Sequence, residues 1–529
     1  MATIMIMVAV VLFLCLLAEK FSGKFGMPAL ILFMGIGMLF GSDGIVHIPF
    51  DNYGMAENIC TIALCFIMFY GGFNMKWSAA RPVAVRAVCL STIGVVVTAG
   101  LTAAFCMLVL RMSFVDSFLM GAVLSSTDAA SVFSVLRTKK LNLKDGTASL
   151  LEMESGSNDP VAYLLTIIGI SLKVGGDVST VPYMIFAQIV YGIVIGAAAG
   201  MLGIWLLKKS GIHADGLDTI FVIGLAMFAF GLANITGGNA FLSVYLMGIL
   251  LGNSSIRGKE TLIAFFDGMT GLAQIVLFFL LGLLSFPHKL PELFSTALAI
   301  TLFLTFVARP AAIFLLLKPF KCSRNQCLMV SWAGLRGAAS IVFAIMVIAG
   351  INTSSDALFH TVFMVALISV AIQGTLLPMM AVKLSMVDES CDVRKTFNDY
   401  SESSAITMMQ MYIPEGHNWE NQLVRDVSMP TGSLAVMVRR AGRTIIPDGN
   451  TKILAGDTLV LSVPAYESGG HEHLEEFTIT KKHRWCNKTI AELVLPNNTL
   501  IVLVKRGEEN IIPNGQTQIL EDDCVVVYS

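Results

Sequence analysis

Thirteen apolar stretches of roughly membrane-spanning length follow one another through the first 383 residues. A helix that crosses a bilayer needs about 20 mostly apolar residues. The stretches lie at 3–19, 27–41, 57–73, 87–110, 115–136, 147–172, 182–207, 217–234, 239–253, 262–285, 292–317, 327–350 and 357–382. The chain is 55% hydrophobic and 14% charged, against roughly 45–50% and 25% in soluble domains. That surplus is too large for one water-soluble core, and the expected fold is an all-α polytopic membrane domain of about thirteen helices.

Loop charges test the helix count. If the N-terminus is outside, the loops facing the cytosol carry sixteen Lys and Arg residues, and the opposite loops carry three, Arg111, Lys173 and Lys289. This follows the positive-inside rule. An odd number of spans then puts the C-terminus in the cytosol. The first stretch, Met5 to Leu17, has no basic residue before it and is followed by Lys20 and Lys24, so it reads as a retained helix rather than a cleaved signal. A bacterial inner membrane is the expected location. The net charge of -2 offers no basic footprint for nucleic acid. The ten cysteines are dispersed without CxxC spacing and read as reduced packing residues. No phosphate loop or nucleophile–base arrangement is present, so neither an enzyme nor a cofactor is expected.

After Leu384 the composition turns polar, and residues 384–404 read as a linker between the 1–383 membrane domain and a tail. The tail repeats itself at an offset of 66: Trp419 matches Trp485, Asn421 matches Asn487, Pro430 matches Pro496, Arg440 matches Arg506 and Asp457 matches Asp523. Alternating runs such as Leu434 to Val438 are strand-like. The two copies, 405–464 and 472–529, resemble RCK_C (TrkA-C) ligand-sensing domains, small α+β units attached to potassium channels and transporters. The resemblance implies a small cytosolic effector, such as a cyclic dinucleotide, with Arg439 and Arg440 near its site. The His471-Glu472-His473 stretch between the copies reads as a solvated loop rather than a metal site.

Ionisable side chains inside spans cost about 2.5–3.5 kcal/mol each at a helix centre and mark function by default. Here they are Asp128, Glu152, Glu154, Asp159, Asp267, Arg309 and Arg336; Glu152 lies near the cytosolic end of its stretch, and Asp267 and Arg309 stand alone without an assigned role. Ser125-Ser126-Thr127-Asp128 and Gly334-Leu335-Arg336-Gly337 each interrupt an apolar stretch, as where a helix unwinds. The two stretches run in opposite directions, and broken helices crossing near the midplane are how inverted-repeat transporters build ion sites. Asp128 and Arg336 would balance the unwound ends. Arg336 needs a buried acceptor, for which Glu154 is the expected partner. Asp159, left unpaired, could hold a proton and a cation in turn. Ser155 shares its helix face and, with the Thr127 carbonyl, supplies further oxygens.

In this order the Thr-Asp break, the Glu154-Ser155-Gly156-Ser157-Asn158-Asp159-Pro160 stretch and the Gly-Leu-Arg-Gly break resemble the electroneutral branch of the monovalent cation/proton antiporter family. The resemblance implies an ion site at Asn158 and Asp159, an ion bridge of Glu154 with Arg336, a homodimer, and elevator-like alternation of a moving core against a dimerisation part. Sodium-selective relatives often carry an acid where this chain reads Phe69-Tyr70-Gly71-Gly72, which tilts the expectation from Na+ to K+. Two rivals stand beside a K+(Na+)/H+ exchanger: an anion symporter with sensing domains, and a membrane sensor or channel subunit without exchange.

Overall fold

Backbone polar groups have no water to bond in hydrocarbon, so a chain of apolar stretches must satisfy them helix by helix. The computed structural model describes the chain apart from residues 1, 26–27, 140, 210–216, 257–258, 352–355, 388–405, 428, 430–432, 441–442, 465–473, 480–482, 494–499, 507–508, 512, 522 and 529. The His471-Glu472-His473 stretch, Pro430, Pro496 and most of the expected linker lie outside the described residues. The chain forms two compact units, Met1–Ser401 and Glu402–Ser529.

The first unit is helical. Among the described residues eight helices are long and apolar enough to cross a membrane: Met5–Ser22, Tyr53–Asn74, Ala84–Leu108, Val178–Lys208, Leu217–Ile235, Thr261–Leu283, Pro287–Phe320 and Ala357–Lys383. Shorter apolar helices occupy Ala29–Phe40, Phe114–Val123, Ala240–Gly252 and Ala338–Ile351. Large apolar side chains such as Phe13, Phe186, Trp205, Phe228 and Phe306 are exposed on the outside of this unit, a surface suited to lipid. Two stretches read from sequence as single spans are broken in two. Phe114–Val123 is separated from Ala129–Thr138, and Arg324–Trp332 from Ala338–Ile351. Ser125 to Asp128 and Gly334 to Gly337 sit in the gaps, where hydroxyl, carboxylate and glycine compete with helical backbone bonding. Three long helices also contain a π turn, at Leu90–Gly94, Leu304–Ala308 and Ser369–Gly374, each shifting the helix face downstream of it.

The second unit holds two four-stranded antiparallel sheets built alike. Strands β1 (Ile406–Tyr412), β2 (Leu434–Arg440), β3 (Arg443–Ile445) and β4 (Thr458–Pro464) are ordered β1-β4-β2-β3. Strands β5 (Leu474–Thr478), β6 (Leu500–Arg506), β7 (Glu509–Ile511) and β8 (Cys524–Tyr528) are ordered β5-β8-β6-β7. The repeat extends to detail: bulges fall at Ala435/Met437 and Ile501/Leu503, and Asn421 and Asn487 share the left-handed conformation, with φ 66° and 65°. Ile413, Val438, Ile453 and Leu459 of one core correspond to Ile479, Val504, Ile519 and Val525 of the other. Helix in these units is confined, among the described residues, to the 3-10 turns Val424–Asp426 and Ile490–Glu492. They are more strand-dominated than the α+β label expects.

Candidate functional site

The two breaks of the helical unit meet. The Asp128 amide donates to the Leu335 carbonyl at 2.8 Å, and the Arg336 guanidinium donates from Nη1 to the Ser126 carbonyl at 2.8 Å. Arg336 thus serves a carbonyl oxygen of the unwound segment that follows Phe114–Val123, near the negative end of that helix's dipole. Asp128 lies at the opposite kind of end. Its carboxylate accepts from the Ser131 hydroxyl at 2.6 Å, at the start of Ala129–Thr138. It also lies so close to Gly337 that a Cβ there would overlap it, beside the amide end of Ala338–Ile351. One acid and one base therefore face three of the unwound helix ends.

Against this crossing lies the helix Thr147–Lys173. Ser155 donates its hydroxyl to the Thr127 carbonyl at 2.7 Å, and Asn158 donates from Nδ2 to Thr127 Oγ1. Asp159 accepts from the Ser126 hydroxyl; it is 8% exposed, and among the described residues no basic side chain forms an ion pair with it. Asn158 is fully buried, and among the described residues nothing donates a hydrogen bond to its Oδ1. The structure thus brings Thr127, Ser155, Asn158 and Asp159 together and adds Ser126, which sequence reading placed in the break without a role. Carboxylate, amide, hydroxyl and carbonyl oxygens of this kind suit a monovalent cation.

The ion bridge differs from the expected one. Glu154 is held by Arg309, with Nη2 at 2.8 Å from Oε2 and 2.6 Å from Oε1; Arg336 is taken by the Ser126 carbonyl instead. The physical reason is the π turn Leu304–Ala308, which immediately precedes Arg309 and changes the face on which that residue emerges. Gly334 completes the arrangement, since a Cβ there would come within 2.7 Å of Arg309 Nε. Behind Arg336 the π turns are linked: its amide donates to Ser369 Oγ at 3.2 Å, Ser369 donates to Gln373 Oε1, and Gln373 Nε2 donates to Thr305 Oγ1 at 2.7 Å. Asp267 lies apart from this group and accepts from the Tyr70 hydroxyl at 3.0 Å.

In the tail, Arg440 is engaged by its own sheet. It grips Asp457 through two bonds of 2.8 and 2.7 Å and the Lys452 carbonyl at 2.7 Å. Arg506 repeats the grip on Asp523 and the Gln518 carbonyl. Burial would raise the Asp457 carboxyl, but the Arg440 bonds and the Leu454 amide outweigh it and hold it below its ordinary value; Asp523 is lowered in the same way by Arg506 and Leu520. Of the two arginines assigned to an effector, only Arg439 is exposed, because strand alternation turns neighbouring side chains to opposite faces.

The profile of the transmembrane sodium/hydrogen exchanger family matches residues 9–383. The chain belongs to the sodium/hydrogen exchanger family. The TrkA-C domain profile matches twice, at 408–465 and 474–529. The chain is 32% identical over 450 residues to the K(+)/H(+) antiporter NhaP2 of Shewanella sp. (strain ANA-3), covering 84% of this chain and 78% of that one. It is 35% identical over 372 residues to the K(+)/H(+) antiporter NhaP of Alkalimonas amylolytica, covering 70% and 64%. The sodium proton antiporter MjNhaP1 from Methanocaldococcus jannaschii shares the fold, with a TM-score of 0.62 and 23% identity over 70% of this chain and 99% of that one. This exchanger-family member is therefore a multi-pass membrane transporter, not an enzyme, and carries two TrkA-C domains.

Proposed function

We propose that the protein exchanges K+, and to a lesser degree Na+, for H+ at Asp159. The observation that carries this reading is a buried carboxylate without a basic partner among the described residues, surrounded by the oxygens of Ser126, Thr127, Ser155 and Asn158. An ionised carboxylate there requires a cation and a protonated one does not, so H+ and K+ compete for one group. Glu154 is engaged by Arg309, and Asp128 and Arg336 are engaged at the two helix breaks, which leaves Asp159 as the carboxylate that cycles. One carboxylate exchanges one proton for one ion, which makes the transport electroneutral. The preference for K+ rests on the two NhaP-type relatives being K(+)/H(+) antiporters and on the Phe69-Tyr70-Gly71-Gly72 segment, which carries no acid where sodium-selective relatives often have one.

The same reading takes thirteen crossings with inverted repeats, the N-terminus outside and the C-terminus in the cytosol of a bacterial inner membrane, and a homodimer whose cores move against a dimerisation part. It divides the chain into a membrane domain to residue 383, a linker to 404, and sensing units at 405–464 and 472–529. The tail regulates exchange in response to a small effector, a cyclic dinucleotide being the first to try. Arg439 is the residue offered to it, and Arg440 acts through the sheet.

Proteoliposomes carrying a pH dye test this against its rivals. K+ pulses should drive proton flux and sulfate pulses should not; Asp159→Asn should abolish the flux. A sulfate response that survives Asp159→Asn would establish an anion symporter, and silence to every ion would establish a sensor or channel subunit.

A further inference from the structure

The turn that carries Asp159 is held from a second direction, by residues outside the crossing. Asn239 caps the helix Ala240–Gly252 through Oδ1, which accepts from the Leu242 amide at 2.9 Å. That leaves its Nδ2 to donate to the Pro160 carbonyl at 2.7 Å. Six residues on, the Tyr245 hydroxyl accepts from the Ser157 hydroxyl at 3.2 Å. The ring comes this close because residue 156 is glycine: a Cβ there would lie 2.8 Å from the Tyr245 hydroxyl. Asn158 and Asp159 therefore sit between two hydrogen bonds anchored on one helix.

That helix packs chiefly against helices other than the site helix, although one of them, Tyr53–Asn74, also packs along Ala338–Ile351 of the crossing. Ala240–Gly252 packs along Tyr53–Asn74 and Val181–Lys209, where glycines such as Gly72, Gly248 and Gly196 bring backbones into contact. The site helix is tied by its polar side chains to the crossing and to Arg309. The bonds from Asn239 and Tyr245 thus join two groups of helices at the level of the ion carboxylate. For Asp159 to face first one aqueous side and then the other, as exchange demands, the two groups must shift relative to each other, and hydrogen bonds of fixed length across the boundary cannot survive such a shift.

We infer that Asn239 and Tyr245 form a two-point clamp on the Ser157–Pro160 turn, and that its opening limits how fast the exchanger turns over without affecting which ion it chooses. The inference rests on the exchange reading above. Both are positioning residues, since neither supplies an atom to the proposed ion ligands.

Tyr245→Phe removes the Ser157 bond together with the hydroxyl's weaker donation to Met75 Sδ at 3.7 Å, and Asn239→Ser keeps a helix cap while withdrawing the donor from Pro160. In proteoliposomes each variant should raise the maximal K+-driven proton flux per folded protein by roughly 3- to 10-fold, the range expected for one hydrogen bond present in the resting state and absent at the barrier. The half-saturating K+ concentration should stay within about twofold. In the same vesicles, amide hydrogen exchange in the segment spanning residues 157–164 should accelerate. A merely structural role would lower the flux or shift the half-saturation, and either result would overturn the clamp. If wild-type protein shows no cation-driven flux, the exchange reading fails by itself; amide exchange then decides the clamp, and unchanged protection in both variants refutes it.

Discussion

Replacing Glu154 with Gln strands the Arg309 guanidinium inside the helical unit. Both side chains are almost wholly excluded from solvent, at 1% and 3% exposure, so little screening softens the loss. Removing one member of a buried ion pair costs about 3–5 kcal/mol, because the other charge stays buried and uncompensated. Glu154→Gln and Arg309→Met should each fall in that range. The double variant should cost less than their sum, leaving a coupling of about 1–3 kcal/mol typical of residues in direct contact. Arg336 feels the charge of Glu154 through space but spends its hydrogen bond on the Ser126 carbonyl. Its coupling to Glu154 should be smaller than that of Arg309 by about 1 kcal/mol or more. Equilibrium unfolding of the single and double variants in mixed micelles measures all the terms. Coupling to Arg336 equal to or greater than that to Arg309 would refute the pairing.

Two further predictions concern other parts of the chain. Gly337→Ala places a methyl group against the Asp128 carboxylate, so the crossing must spread; the expected cost is about 1–3 kcal/mol of stability and at least a tenfold loss of K+-driven flux, measured on folded protein, whereas normal flux would show that the contact is not required. In the tail, Asp457 and Asp523 have folded values below their unfolded ones. Their stabilisation is therefore complete above the ordinary carboxylate value of about 4 and lost as pH falls through the lower folded values. Limited proteolysis of the full-length protein should show residues 402–529 becoming sensitive below about pH 4, and Asp457→Asn together with Asp523→Asn should remove that acid step.

Much of this was legible in the sequence. The helical membrane unit was, because about 20 apolar residues in a row admit few alternatives, although among the described residues eight helices rather than thirteen are long and apolar enough to cross; the helix breaks were, because Ser125 to Asp128 and Gly334 to Gly337 put hydroxyl, carboxylate and glycine where apolar helix should be. The tandem sheets were visible in the offset of 66, which extends to equivalent bulges and equivalent Arg–Asp grips. The partner of Glu154 was not. A π turn changes the phase of the helix after it, and helical periodicity assumes a constant phase; the available signal was that Arg309 is the other arginine inside a span. The Asn239 and Tyr245 contacts were equally hidden, since they join segments about 80–90 residues apart. The glycine between Ser155 and Ser157 was the one local hint that something large packs against that turn.

The central claim is that one buried acid, Asp159, is shared in turn by H+ and K+. Its most direct test is the proton flux of wild-type and Asp159→Asn proteoliposomes after a K+ pulse, recorded at several imposed membrane potentials. The account predicts interior alkalinisation for K+ entering wild-type vesicles, at a rate independent of potential, and none for Asp159→Asn. Flux that persists in the amide variant, or that scales with the imposed potential, would contradict it.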